Sequence, residues 1–418
     1  MLVKIDEFGY LLLAFCLFPL LARPLLKSAS GPKWPILAGV SVFSSLMLAF
    51  SMGYKHHVLE GPAKFFIYAS TIFAVYIALV LFSFATLSFA HRSDRNWAAA
   101  YASPIFSLLL ARDLIPFLTH SQKNGSITFI FVGISYVAFR LCFMVTEVRN
   151  KAVEMPSLAQ YLSFSFFVPL MIVGPISPYG LFIDSAKRAR EVQIEHLPNI
   201  LRMIRGLLKY LLFSTILSEI GYGPAFMRNG HLHSKLDLLV AVLVYPLFLY
   251  CNFSGLCDVA IGASSLCGIQ VAENFNNPFG SRNFQEFWSK WHISLSTWMR
   301  DMVFTPMVKA ICTRWPSVSV NNAIAAAIMT VFILIGLWHG VETHFVLFGI
   351  SQGLGVVAIH YGGVALKAKM SKQQLLAYRQ NPRIKIAGRV ATYLYFAATL
   401  SLFANSTADL AEIMRHIV

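Results

Sequence analysis

Apolar and polar residues alternate along this chain on the scale of a bilayer. A membrane-crossing helix needs about 20 mostly apolar residues. Runs of that kind recur at residues 8–26, 35–52, 65–89, 127–148, 160–182, 207–226, 238–257, 322–338, 345–364 and 386–403. A further run, 98–118, is interrupted by Pro104, Arg112, Asp113 and Pro116. It reads as a broken or re-entrant segment, a form of backbone that survives at depth only when buried in protein or lining a wet cavity. The pattern predicts an all-α, polytopic membrane protein of about ten or eleven spanning helices. No polar stretch is long enough for a soluble module, so one membrane-embedded domain over residues 1–418 is expected.

Two stretches depart from simple threading. Between Asp258 and Phe284, small and polar residues (Gly262, Ser264, Ser265, Gly268, then Glu273-Asn274-Phe275-Asn276-Asn277-Pro278) read as too broken to span. They lead into residues 283–301, where Phe284, Phe287, Trp288, Trp291, Leu295 and Trp298 recur at mostly helical steps and share one face. This predicts a single amphipathic helix with His292 beside its aromatic face. A span, a broken segment and an amphipathic helix in succession predict a funnel or re-entrant structure. The run 323–338 ends in Gly336-Leu337-Trp338-His339-Gly340. Roughly sixteen residues rise about 24 Å against a hydrocarbon core of about 30 Å, which puts His339 at bilayer depth. Gly336 and Gly340 let another backbone, or a ligand, approach it closely.

Composition narrows the setting. The chain is 57% hydrophobic and 13% charged, about half the charge fraction of a soluble protein. Its net charge of +15, from 34 Lys and Arg against 19 Asp and Glu, reads as basic cytoplasmic loops facing anionic headgroups. Arg23, Lys27 and Lys33 form one basic cluster and Arg92 with Arg95 a second. Lys187, Arg188, Arg190, Arg202, Arg205 and Lys209 crowd residues 184–209, which the positive-inside rule assigns to the cytoplasm. No compact basic module interleaved with aromatics is present, which excludes nucleic acid as a partner. The six cysteines form no CxxC pair and read as small hydrophobes. Asp6 and Glu7 precede the first apolar run and no small-residue cleavage motif closes it, so a retained span is expected there.

An ionisable group at membrane depth is a functional candidate, and two histidines qualify. Neutral imidazole, with an unperturbed pKa of about 6.5, is the usual general base. Glu342 and His344 lie near His339, yet there is no HExxH motif and no Cys/His cluster, so no metal is expected. A nucleophilic-serine triad is poorly supported as well, since Gly349-Ile350-Ser351-Gln352-Gly353 matches GxSxG in letters but lies inside the apolar run 345–364. A base acting directly on a substrate hydroxyl fits this inventory best. Trp288, Trp291 and Trp338 are suited to walling a channel and excluding water, and each one alone reads equally well as packing or interfacial anchoring. The rival classes are a transporter or exporter of an envelope component, which shares broken helices and intramembrane polar groups, and a non-catalytic scaffold of an envelope complex.

Four ordered motifs carry a family resemblance. They are YCNFSGLCDVAIG at 250–262, ENFNNPF at 273–279, FWSKWHISLSTWMRD at 287–301 and GLWHG at 336–340, with Phe167-Val168-Pro169 and Gly174-Pro175-Ile176-Ser177 upstream. Together they resemble the bacterial branch of the membrane-bound O-acyltransferase family, which includes teichoic-acid D-alanyl transferases and alginate O-acetylases. The resemblance implies a helical fold with a tunnel or funnel. It also implies transfer of an acyl group from a cytoplasmic thioester donor to a hydroxyl of a cell-envelope polymer or an intermediate acceptor. It makes His339 the catalytic histidine and gives His292 a supporting role. Trp288, Trp291, Ser294, Trp338 and Asn274 become substrate-binding candidates. No tightly bound cofactor is expected. The donor would be a phosphopantetheinyl acyl carrier protein or acyl-CoA, with membrane lipids and an extracytoplasmic transfer partner alongside, and the location would be the bacterial cytoplasmic membrane. The chain departs from the family pattern at Asn252 and Leu256, where Asp and Tyr are usual. Pro306-Met307-Val308-Lys309 leans toward the D-alanyl branch.

Overall fold

The computed structural model describes residues 5–57, 62–111, 133–220 and 235–411, and every regular element among them is helical. Extended pairing among these residues is confined to an isolated antiparallel bridge between Phe275 and Trp291. Five helices among the described residues are long and apolar enough to cross a membrane: Phe73–Ser93, Lys235–Cys267, Val320–His339, Thr343–Lys369 and Pro382–Ala404. Leu11–Leu26, Trp34–Leu48 and Trp97–Leu109 are shorter apolar helices. A multi-pass membrane protein follows. Arg112, Asp113 and Pro116, and the ends of the predicted runs at 127–132 and 221–226, lie outside the described residues. The chain falls into two compact units, Met1–Leu207 with Leu256–Ala272, and Leu208–Gly255 with Glu273–Val418.

In the first unit the predicted run 160–182 does not form one helix. Leu158–Ser165 starts from a capping box between Ser157 and Gln160, and only a single 3-10 turn, Val168–Leu170, follows before Tyr179–Arg188. Pro169, Pro175 and Pro178 lack the N–H that a continuing helix requires, and each biases the residue before it away from helical geometry. The break leaves helix-terminal carbonyls open. Fully buried Arg140 meets them, donating to the Phe164 oxygen at 3.0 Å and the Ser165 oxygen at 2.9 Å. Its guanidinium carbon also lies 4.9 Å from the centre of the Phe164 ring.

Two basic clusters that are distant in sequence meet in this unit. Arg23 donates to the Val192 oxygen at 3.0 Å and Arg190 to the Ala29 oxygen at 3.2 Å. The helix His196–Leu207 buries Met203 and Gly206 and exposes Leu197, Ile200, Leu201 and Ile204. It packs on the helix carrying Gly262, where a Cβ would stand 2.9 Å from the Asn199 carbonyl oxygen. Arg202 Nε meets Asp258 Oδ1 at 3.0 Å across that contact. The predicted break after residue 257 therefore comes later. The Lys235–Cys267 helix continues through the small residues because Gly262 admits its neighbour and Ser264 returns its hydroxyl to the Ala260 carbonyl at 2.8 Å.

The second unit is built on three long helices. Val320–His339 starts from Ser319, whose hydroxyl accepts from the Asn322 N–H at 3.2 Å. It packs against Thr343–Lys369 through glycines. A Cβ on Gly336 would run into the Phe345 carbonyl oxygen and stand 3.3 Å from the Gly349 Cα. Pro382–Ala404 is tied to the same pair, with Gln352 Nε2 donating to Thr399 Oγ1 at 2.7 Å. All three helices match the predicted runs to within a few residues.

Candidate functional site

The tryptophan-rich stretch is two short helices, not the single helix that its periodicity predicts. Asn283 caps the first, Phe284–Trp288, by accepting from the Glu286 N–H at 2.8 Å. The second, Ile293–Met299, begins after His292, which sits in the left-handed region at φ 46 and ψ 52. That conformation is unfavourable for a residue with a side chain, and long-range bonds enforce it. The Asn276 N–H donates to the Lys290 carbonyl and the Ile293 N–H to the Asn274 carbonyl, each at 3.0 Å. The break turns His292 away from a regular helix face and toward Asn274.

Asn274 is fully buried and collects three contacts on one oxygen. Its Oδ1 accepts from the Ser294 backbone N–H at 3.2 Å and from the Ser294 hydroxyl at 2.8 Å, and it lies 3.1 Å from His292 Nδ1. A backbone N–H can only donate, so the atom it meets is the amide oxygen. That oxygen can only accept, so His292 carries its proton on Nδ1. The other ring nitrogen, Nε2, is buried with no hydrogen-bond partner among the described residues. His292 stands outside the long apolar helices, and burial pulls its pKa down to about 3. The ring is therefore neutral, with a bare lone pair on Nε2.

Aromatic rings complete the setting. Phe253 meets the His292 ring edge to face at 4.8 Å, and Trp338 lies 6.4 Å from it. Trp338 is also 4.6 Å from the ring of His339, the last residue of its helix. His339 is half-buried, with Phe403 at 4.8 Å, Phe345 at 6.2 Å and Phe348 at 6.3 Å. No described residue forms a hydrogen bond with its ring. The two histidines are thus held differently, His292 by polar bonds and His339 by aromatic packing.

The structure brings His292, His339, Trp338, Asn274 and Ser294 together. Trp288 and Trp291 point elsewhere. Trp291 packs with Phe275 at 5.1 Å, Phe396 at 5.3 Å and Phe287 at 5.6 Å, and Trp288 lies 5.0 Å from Phe332 with its buried indole nitrogen unpaired among the described residues. His344 is committed to the Leu402 carbonyl at 2.9 Å. Among the described residues no three His, Cys, Asp or Glu side chains converge. Of the two glycines beside His339, Gly336 serves the close approach of a neighbouring helix. Sequence reasoning missed Phe253 and Phe403. Phe253 lies within the quoted 250–262 motif and was within reach of that signal, whereas Phe403, on the last long helix, had none.

The comparisons with known proteins agree with this architecture. The family model of the membrane-bound O-acyltransferases matches residues 62–367, which include both histidines. The teichoic acid D-alanyltransferase of Streptococcus thermophilus is 29% identical over 82% of this chain and 85% of its own length. The Bacillus subtilis protein of the same name is 29% identical over 70% of this chain and 74% of its own. The probable alginate O-acetylase AlgI of Azotobacter vinelandii is 27% identical over 53% of this chain and 43% of its own. With the family model matching well more than half of its length, this chain belongs to the membrane-bound O-acyltransferase family.

Proposed function

We propose that this O-acyltransferase moves an acyl group from a thioester on the cytoplasmic side to a hydroxyl, with His339 as the general base. The observation that carries the reading is that one indole, Trp338, neighbours both imidazoles, at 6.4 Å from His292 and 4.6 Å from His339. His339 has no hydrogen-bond partner among the described residues to compete for its lone pair. In the transfer, the acceptor oxygen attacks the thioester carbonyl carbon while His339 takes the hydroxyl proton. The carbon–sulfur bond then breaks, and the proton passes to the departing sulfur, leaving an ester and a free thiol. General-base catalysis supplies about 10²–10⁴-fold, and holding both substrates in one passage supplies more. Trp338 and Phe403 would keep water from the thioester. Trp288 and Trp291 would back that wall from the aromatic cluster, and Asn274 and Ser294 would shape the floor beneath His292.

The acyl group is D-alanyl by preference and acetyl as the second choice, a ranking supported by the greater coverage of the D-alanyltransferase relatives. The acceptor is a cell-envelope polymer or an intermediate that an extracytoplasmic partner completes. A phosphopantetheinyl carrier protein would suit the basic loops electrostatically, and acyl-CoA is the other donor of this class. The wider setting of the proposal is a single domain of about ten or eleven spans around a tunnel, in the bacterial cytoplasmic membrane.

The test incubates membranes bearing the protein with radiolabelled D-alanyl or acetyl thioester, and follows free thiol and labelled ester. His339→Ala should lower transfer by about 10²–10⁴-fold. Full transfer by a stably produced His339→Ala protein would refute the assignment. An exporter would release no thiol, and a scaffold would leave substitutions of both histidines silent.

A further inference from the structure

We infer that Asn274 is a positioning residue whose Oδ1 fixes His292 in the Nδ1–H tautomer, making Nε2 an obligate hydrogen-bond acceptor for an N–H or O–H of the substrate. The inference rests on the reading of this face as the acyl-transfer site. It rests equally on geometry that does not depend on that reading. Three contacts of 2.8–3.2 Å converge on one oxygen. One of the three comes from a backbone N–H, which fixes the identity of the oxygen and through it the position of the ring proton. The opposite nitrogen is buried and has no partner among the described residues. A buried acceptor left unmade is unfavourable, and a substrate donor placed there removes the deficit. The left-handed backbone at His292 belongs to the same device, because it turns the ring toward Asn274 instead of along a helix face.

Among the described residues, the rings of Phe253 and Trp338 that meet His292 carry no charge. From the Lys235–Cys267 helix it meets Phe253, and from the Val320–His339 helix it meets Trp338, with His339 as the titratable ring beyond it. On its own segment, Lys290 is engaged by Glu286 at 2.9 Å, and Glu273, beside Asn274, is exposed. A neutral amide in place of a carboxylate is therefore what holds this tautomer without adding charge to the ring. Aspartate at 274 would hold the same tautomer and also stabilise the imidazolium, which turns Nε2 from acceptor into donor.

Two measurements test this. In ¹⁵N NMR of the histidine-labelled protein in detergent, with His292 assigned by its loss in His292→Gln, the unprotonated nitrogen should be Nε2. A protonated Nε2 would overturn the inference in the wild-type protein, with no variant required to fold. In transfer assays, Asn274→Asp should move the acid limb of kcat upward by about one pH unit or more, so that activity just below the new limb falls about tenfold while KM changes little. A profile superimposable on wild type would reduce Asn274 to a structural cap. Failure of this inference stays distinct from failure of the acyl-transfer reading, because His339 is intact throughout and is judged by its own variant.

Discussion

The ring of His292 makes a pH prediction at the scale of one residue. Burial holds its pKa near about 3 in the folded protein, against about 6.5 when unfolded. Between these values the unfolded chain binds a proton that the folded chain refuses. Stability from this group is thus complete above about pH 6.5 and is lost as pH falls toward the folded value. The melting temperature of the purified protein should be flat above about pH 6.5 and should decline on acidification, and His292→Gln should decline less steeply. Equal slopes in the two proteins would contradict the burial account. At this scale both histidines were legible, because an ionisable ring beside an apolar run stands out against its neighbours. Phe403 was not, being one among 35 phenylalanines with no local feature to distinguish it, whereas Phe253 lies inside the 250–262 motif. The bond from Asn274 to His292 spans 18 residues and depends on a left-handed backbone, which side-chain periodicity does not encode.

At the scale of elements, the glycines of the second unit make predictions of opposite sign. Gly336→Ala would drive a methyl into the Phe345 carbonyl and should destabilise by about 1–3 kcal/mol as overpacking does. Gly362 lies within Thr343–Lys369 with open space where its Cβ would be. Gly362→Ala should stabilise by about 0.5–1 kcal/mol by restricting the unfolded chain. Thermal denaturation in detergent reads both, and a stabilised Gly336→Ala would show that the helices are not held at glycine contact. The long helices near 322–338, 345–364 and 386–403 were legible because length and hydropathy alone define them. The interrupted 160–182 run was not, because average hydropathy passes over Pro169, Pro175 and Pro178, the residues that end the helix. The stretch 283–301 misled for a different reason. Its aromatic positions are buried on both sides of the break, so their period persists although the backbone does not continue.

At the scale of the whole molecule, charge sets sidedness. The Arg190–Ala29 and Arg23–Val192 bonds bring two basic clusters of the first unit together, as the positive-inside rule expects of loops sharing a compartment. A cysteine introduced at Arg190, in a background lacking the native cysteines, should react with an impermeant maleimide in inside-out vesicles and stay unlabelled in intact cells. Labelling in intact cells would reverse the assigned orientation. This level was legible as a tendency of composition. Which loops touch was not, since pairing between residues 23 and 192 arises only once the helices are packed.

The dissimilar seating of the two imidazoles has a mechanical consequence. One ring is pinned by an amide. Among the described residues the other meets the faces and edges of Trp338, Phe345, Phe348 and Phe403, which set no preferred direction for an N–H and leave the ring a swivel about its Cβ–Cγ bond. A ring on such a pivot can receive a proton facing one way and release it facing another while its Cα stays in place.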